Sequence, residues 1–156
     1  LLNREAFRAR LNLRLQAKRC FSVLFLDLNL FKKVNDTHGH EAGDRVLQVT
    51  AQRMLETLGM RADVGRLGGD EFVIVFNHST DDANVQQAEC LALMQEVDAL
   101  IRQPIAIHEG LTVAVGTSIG AASYPADGLD AQTLLKVADE RMYEHKKQRD
   151  LNAKRT

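Results

Sequence analysis

The chain has 156 residues, 45% hydrophobic and 26% charged, the balance of one folded domain that buries roughly 70% of the surface its unfolded chain exposes. Its 20 basic and 21 acidic residues leave a formal charge of −1, which argues against a nucleic-acid partner held mainly by phosphate charge. No apolar run reaches the ~18 residues that span a bilayer, and Cys20 and Cys90 stand alone, so both are expected as buried thiols of a cytoplasmic, reducing compartment.

From Asn3 to Arg19, Phe7, Leu11 and Leu15 recur at helical spacing among Arg4, Arg8, Arg10, Arg14, Lys18 and Arg19. The basic side of this helix reads as a solvated face in preference to a phosphate- or partner-binding one. Phe21 to Leu28 is a short apolar run with aromatics, a buried strand ending near Asp27. Leu28 to Lys32 leaves that strand and opens a short helix, and Asn35-Asp36-Thr37-His38-Gly39-His40 reads as a turn. His38 and His40 lack partners at metal-ligand spacing, and His40 is expected to order the loop. A helix then carries Ala42, Val46, Leu47, Ala51, Met54, Leu55 and Leu58 on one stripe.

Asp63 to Leu67 and Glu71 to Phe76 look like strands joined at Gly68-Gly69-Asp70, a hairpin signal. Ser79-Thr80-Asp81-Asp82 suits the start of a long helix whose core positions are Cys90, Leu93, Met94, Val97, Leu100 and Ile101. Ile105 to His108, Leu111 to Val115 and Thr117 to Tyr124 are β-rich segments broken by Gly110 and Gly116, expected as a hairpin or bulged pair. A last helix from about Asp130 buries Leu134, Leu135, Ala138 and Met142. The order α, β, α, β, β, α, β, β, α predicts an α+β sandwich, helices packed on a mostly antiparallel sheet.

Chemistry concentrates at two places. Gly68-Gly69 permits positive φ and close approach of a ligand to the backbone, with Asp70 and Glu71 projecting from the tip. If this hairpin pairs beside the first strand, Asp27, Asp70 and Glu71 converge, and hard oxygen ligands of that kind suit Mg²⁺ together with substrate phosphates. The free amides where the short helix opens after Leu28, with Lys32 beside them, suit phosphate.

These residues carry a resemblance. The segment from Phe25 to Asp44, the run Arg66-Leu67-Gly68-Gly69-Asp70-Glu71-Phe72, Thr117 to Gly120, and Ala138 to Lys146 are similar, in order and spacing, to the GGDEF diguanylate cyclases. The resemblance covers nearly the whole chain and implies a palm-like nucleotidyl cyclase fold and condensation of two GTP molecules into cyclic di-GMP. It implies that Asp27, the Leu28 carbonyl and Asp70 bind Mg²⁺, with Mn²⁺ as a substitute. Asn35 and Asp44 would hydrogen-bond guanine, and Lys32, Lys146 and the amides near Leu30 and Phe31 would hold phosphates beside Gly68 and Gly69. Glu71 would assist the metal site or the proton transfer. Each site holds one GTP, so a homodimer is implied for catalysis, with a sensory domain upstream.

Four departures from the family pattern stand out. The opening Asp-x-Leu-Thr-Gly-Leu is absent, since the chain starts on Leu1 just before Asn3-Arg4, and one domain over residues 1–156, cut from a longer multidomain protein, is expected, with membrane attachment of its other regions left open. Asn29 replaces the second acid of Asp-x-Asp. Asp150 stands where a second phosphate-binding Arg is usual, which lowers expected affinity and sets up an alternative, a degenerate regulatory domain that binds GTP without turnover; Arg149 or Lys147 could compensate. Met60 stands three residues before Asp63, where an Arg-x-x-Asp product site would need its arginine.

Overall fold

A computed structural model, which describes residues 1–155, begins with helix α1 (Arg4–Ala17). The Asn3 side chain caps it by accepting from the Ala6 amide, and Lys18, in the left-handed region, ends it by returning its N–H to the Leu15 carbonyl. Phe7 and Leu11 on its inner face are fully buried. Each stabilises the fold by about 1.5–3 kcal/mol through the apolar area it removes from water.

Strand β1 (Phe21–Asn29) follows, buried over its first eight residues. A strand buried on both faces loses the polar–apolar alternation, which is why Phe21 to Leu28 reads as a continuous apolar run. Its even positions Leu24, Leu26 and Leu28 belong to one core, and its odd positions Phe21, Val23 and Phe25 to another.

The segment after β1 has the expected short helix and the longer one after it, but differs at the expected turn between them. Helix α2 (Phe31–His38) runs through Asn35, Asp36 and Thr37, and helix α3 (His40–Leu58) starts after Gly39. Turn-forming residues are recruited into a helix here because Val34 and Phe31, three positions apart, pack onto the first core. The turn shrinks to Gly39, whose φ of 92° would strain any other residue. His40 opens α3 rather than ordering a loop. Leu55 is 45% exposed, because the stripe of α3 that meets the sheet centres on Val46, Met54 and Leu58.

Strands β2 (Ala62–Gly68) and β3 (Glu71–Asn77) form the expected hairpin, and helix α4 (Ala83–Arg102) starts where the Asp82 carboxylate accepts from the amides of Asn84 and Val85. The β-rich stretch then divides in a way the residue pattern does not show. Strands β4 (Ile105–His108) and β5 (Leu111–Val113) pair with each other as a separate two-stranded sheet, while β6 (Gly116–Tyr124) joins the main sheet. Arginines from α3 hold the base of that small sheet, Arg53 donating to the Gln103 and Pro104 carbonyls at 2.8 and 2.7 Å. Helix α5 (Ala131–Arg155) ends the chain.

The main sheet has the order β2-β3-β1-β6, and every neighbouring pair is antiparallel. Leu2 adds a single parallel bridge to Gly65 at the β2 edge. Helices α3 and α4 supply the core on one face of the sheet, and α1 and α5 the core on the other. The expected α+β sandwich is therefore the fold, with eleven elements in place of nine.

Contact between β6 and α5 is unusually close. A side chain at Gly120 would overlap the α5 backbone at Ala138 and Met142, atoms that cannot rotate away. Gly120→Ala should therefore cost about 3 kcal/mol or more of unfolding free energy, beyond the usual range for one extra methyl in a core. Urea denaturation measures this, and a variant within 1 kcal/mol of the parent would show that α5 can lift from the sheet freely.

Candidate functional site

The site grows from the register of β1 and β3. Asp27 lies directly across from Glu71, and the Leu28 N–H donates to the Asp70 carbonyl at 3.2 Å, pinning the Gly68-Gly69 turn to the end of β1. Residues opposite each other in an antiparallel pair share a face, so Asp27 and Glu71 both belong to the α1/α5 side. The N–H and C=O of one strand residue point to the same edge, which puts the Leu28 carbonyl beside Asp70, past the last pair of the β1–β3 ladder. Gly68 and Gly69, with φ of 150° and 50°, make the turn, and Arg66 holds it by donating its Nε–H to the Gly69 carbonyl at 2.9 Å. A bulge between Arg66 and Gly68 completes the change in direction.

Beyond Asn29 the chain turns at Leu30, a non-glycine residue with φ of 69°. That conformation costs on the order of 1 kcal/mol and lets α2 begin immediately after the strand. The first helical bond in α2 runs from the Val34 N–H to the Leu30 carbonyl, so the amides of Phe31, Lys32 and Lys33 have no partner within the helix. Leu28, Leu30, Phe31, Lys32, Asp70 and Lys146 line one cleft of about 410 Å³, joined by Arg149 and Asp150 from the end of α5.

Charge in the cleft is tightly coupled. Burial, a hydrogen bond with Asp27 and the Asp27 charge push the Asp70 carboxyl up from 3.8 to about 6. Lys146 donates to Asp27 Oδ2 at 2.9 Å, and this bond raises its own pKa. Burial and the negative charges of Asp27 and Asp139 also raise Glu71. The Asp27 backbone is held by Thr117, whose Oγ1 donates to its carbonyl at 3.0 Å. His145 Nδ1 accepts the outward Ile119 N–H of edge strand β6 at 2.9 Å, which fixes the turn of α5 that carries Lys146.

Not every expected residue reaches this cleft. The Glu71 side chain lines a separate cavity between α1 and α5. Asn35 and Asp44 lie at the α2–α3 junction, where the absent side chain of Gly43 makes room for the Asn35 amide. Asp44 lines a second hollow of about 250 Å³ with Leu1, Leu47, Gln48, Ala51 and Arg66. Arg66, Thr117, His145 and the non-polar lining of that hollow were not singled out from the sequence as site residues. Arg66 carried a signal, a cation just before Gly-Gly, whereas the others become neighbours only through tertiary packing.

Two neighbouring carboxylates and a carbonyl on their edge make an oxygen donor set that suits a small divalent cation, and the Lys146 ammonium on Asp27 holds the place of a positive charge there. Among the described residues no group of three or more His, Cys, Asp or Glu could hold a metal ion. The donor set thus fits an ion that completes its shell from a bound phosphate and does not fit a closed structural metal centre.

The Asp70 proton gives a pH signature. An acid whose pKa is raised on folding contributes stability below its unfolded pKa and loses it as pH rises through the folded value. Relative to Asp70→Asn, the metal-free parent should therefore lose stability between pH 4 and about 6, and Mg²⁺ should restore it in the parent alone. Parallel melting profiles of the two proteins in EDTA, or equal shifts with Mg²⁺, would contradict this coupling.

Comparison with known proteins places the arrangement. Residues 1–152 match the family described as "Diguanylate cyclase, GGDEF domain". Diguanylate cyclase DgcN of Escherichia coli (strain K12) is 40% identical over 152 residues, covering 96% of this chain and 36% of its own length. Cyclic di-GMP phosphodiesterase PdeB of Shewanella oneidensis is 37% identical over 139 residues, 89% of this chain and 16% of its own. The crystal structure of a sensory box/GGDEF family protein from Caulobacter crescentus CB15 superposes with a TM-score of 0.87 at 34% identity, covering 95% of this chain and 94% of that one. The chain thus spans about a third or less of the length of these two curated relatives.

Proposed function

This chain belongs to the GGDEF domain family, and from that premise we propose that it is a diguanylate cyclase module that condenses two GTP molecules into cyclic di-GMP. The observation that carries the reading is the meeting, in one cleft, of Asp70, Lys32, Lys146 and the amides that open α2, with Asp27 behind them in contact with both Asp70 and Lys146. In each step a ribose 3′-oxygen forms a bond to the α-phosphorus of the other GTP, the α–β anhydride breaks, and pyrophosphate leaves. Two such steps close the ring.

In this reading Asp27, Asp70 and the Leu28 carbonyl hold Mg²⁺, or Mn²⁺ in its place. The ion, when bound, supplies charge neutralisation for the phosphates and acidifies the attacking hydroxyl. Lys32, Lys146 and the amides near Leu30 and Phe31 grip the phosphates, and the glycine turn lets them approach the backbone. Asp44 accepts from the guanine N1–H and N2–H, with Asn35 steadied beside it against Gly43. Glu71 lines the adjoining cavity, so in this reading its part in the metal site or in the proton transfer runs through Asp27, which it faces across the ladder. Because each chain offers one such cleft, two chains must face each other, so turnover should rise more than linearly with protein concentration.

A second reading keeps one specific observation in its favour. Asp150 lines the cleft close enough to Lys146 to favour its charged form, putting a negative charge where phosphates would lie. This supports a regulatory domain that binds GTP without turning it over, and one similar protein is indeed named for phosphodiesterase activity.

Incubation with GTP and Mg²⁺, followed by mass spectrometry, separates the two: cyclic di-GMP is the expected product, and bound but unchanged GTP would favour the regulatory reading. Asp70→Asn should abolish product without unfolding the chain. Asp44→Ala should weaken GTP binding by about 2–4 kcal/mol and narrow the preference over ATP, since a polar base contact discriminates strongly. Equal losses for both nucleotides would argue against a base contact.

Product feedback should be missing. Met60 is fully exposed, Arg61 is tied to Glu96 at 2.7 Å, and the arginine that Asp63 holds, at 2.9 Å, is Arg14 of α1, already consumed by that ion pair. Initial rates are expected to be unchanged by micromolar cyclic di-GMP, apart from weak competition at the GTP cleft. Inhibition that excess GTP fails to relieve would refute this.

A further inference from the structure

The basic side of α1, expected from the sequence to be solvated, is partly turned into a groove. Arg4 and Arg8, one turn apart on α1, face Lys136 on α5 across a cavity of about 470 Å³ lined also by Phe25, Leu67 and Leu135. This lies on the α1/α5 face, apart from the cleft that holds Asp70 and Lys146, and shares none of that cleft's lining. None of the three cations forms a salt bridge among the described residues, but the charge of Arg4 favours ionised Glu71 and that of Arg8 favours ionised Asp130, which leaves Lys136 as the cation with no acid drawn to it. Glu71 and Asp139 are the acids in the wall, so three positive charges stand against two negative ones.

Two further features favour an anion. Arg4 is the first residue of α1 and Gln132, another lining residue, is the second of α5, so the groove borders the first turns of both helices, whose amides Asn3 and Asp130 already cap in part. Like charges facing each other across a narrow space repel unless an anion lies between them. The half-buried Leu67 and Leu135 add an apolar surface that a bare phosphate would not use. The volume lies in the range of small-ligand sites.

The geometry points to a second binding site in this groove, for a mononucleotide: Arg4, Arg8 and Lys136 take the phosphate, and the base lies against Leu67 and Leu135. The site does not rest on the reading of the Asp70 cleft. Because Glu71 lines the groove while Asp70 lines the cleft, the catalytic turn stands between the two.

The test is a titration followed by amide chemical shifts, with GMP, pyrophosphate and guanosine as separate probes. GMP should shift the amides of Leu67, Leu135 and Lys136 saturably. Pyrophosphate should shift the neighbours of the cations with weaker affinity, and guanosine should shift neither. Arg8→Ala combined with Lys136→Ala, both at exposed positions, should lower GMP affinity at the groove at least tenfold, and Lys136→Gln alone severalfold. Shifts confined to Leu28–Lys32, or wild-type groove affinity in both variants, would overturn the proposal and leave the cleft reading standing. Groove shifts without any response from the cleft would do the reverse.

Discussion

One register governs the molecule, that of β1 against β3 with Asp27 opposite Glu71. A slip of one residue would turn Asp27 toward the α3/α4 core and send Leu26 and Leu28 to the other face. Both faces of β1 are covered by helices, so such a slip would bury a carboxylate without a partner and disrupt two cores together. The hydrophobic packing of the sheet is thus what holds the acids in place. The Leu28–Asp70 hydrogen bond then carries that precision one residue further, into the glycine turn.

The same register creates an electrostatic problem. Asp27 and Asp70 are too close to be charged together at low cost, and the structure answers with an Asp70 carboxyl that holds its proton more tightly than usual and with Lys146 on Asp27. Lys146 arrives from the far end of the chain because α5 lies directly on β6 at Gly120 and is anchored there by His145. Two acids, one ammonium and the unbonded opening amides of α2 are thereby brought to one end of the sheet.

Placement of the α2–α3 junction follows from strain at Leu30. By taking the left-handed conformation, this residue lets α2 start without a loop, so its amides open next to the strand end that carries Asp27 and Leu28. The short α2 then delivers Asn35 to Gly43, and Asp44 falls beside it. The amides that open α2 and the Asn35–Asp44 pair are in this way separated by a rigid helix rather than by a flexible loop, which favours a fixed distance between them.

Much of this was legible in the residues. The two-sided burial of β1, the Gly68-Gly69 hairpin and the helical stripes of α1, α3, α4 and α5 are local patterns, each set by side-chain periodicity over a few turns or a few strand residues. The resemblance of Phe25 to Asp44 and Arg66 to Phe72 to one family carried the fold and the convergence of Asp27 with Asp70. What only the tertiary structure decided was non-local. Helix α2 forms through turn-favouring residues because Val34 finds a core, β6 leaves β5 to pair with β1, and Arg4 and Arg8 face Lys136 across a groove. These outcomes depend on contacts between residues far apart in sequence, whose free energies outweigh the small local preferences that a sequence displays.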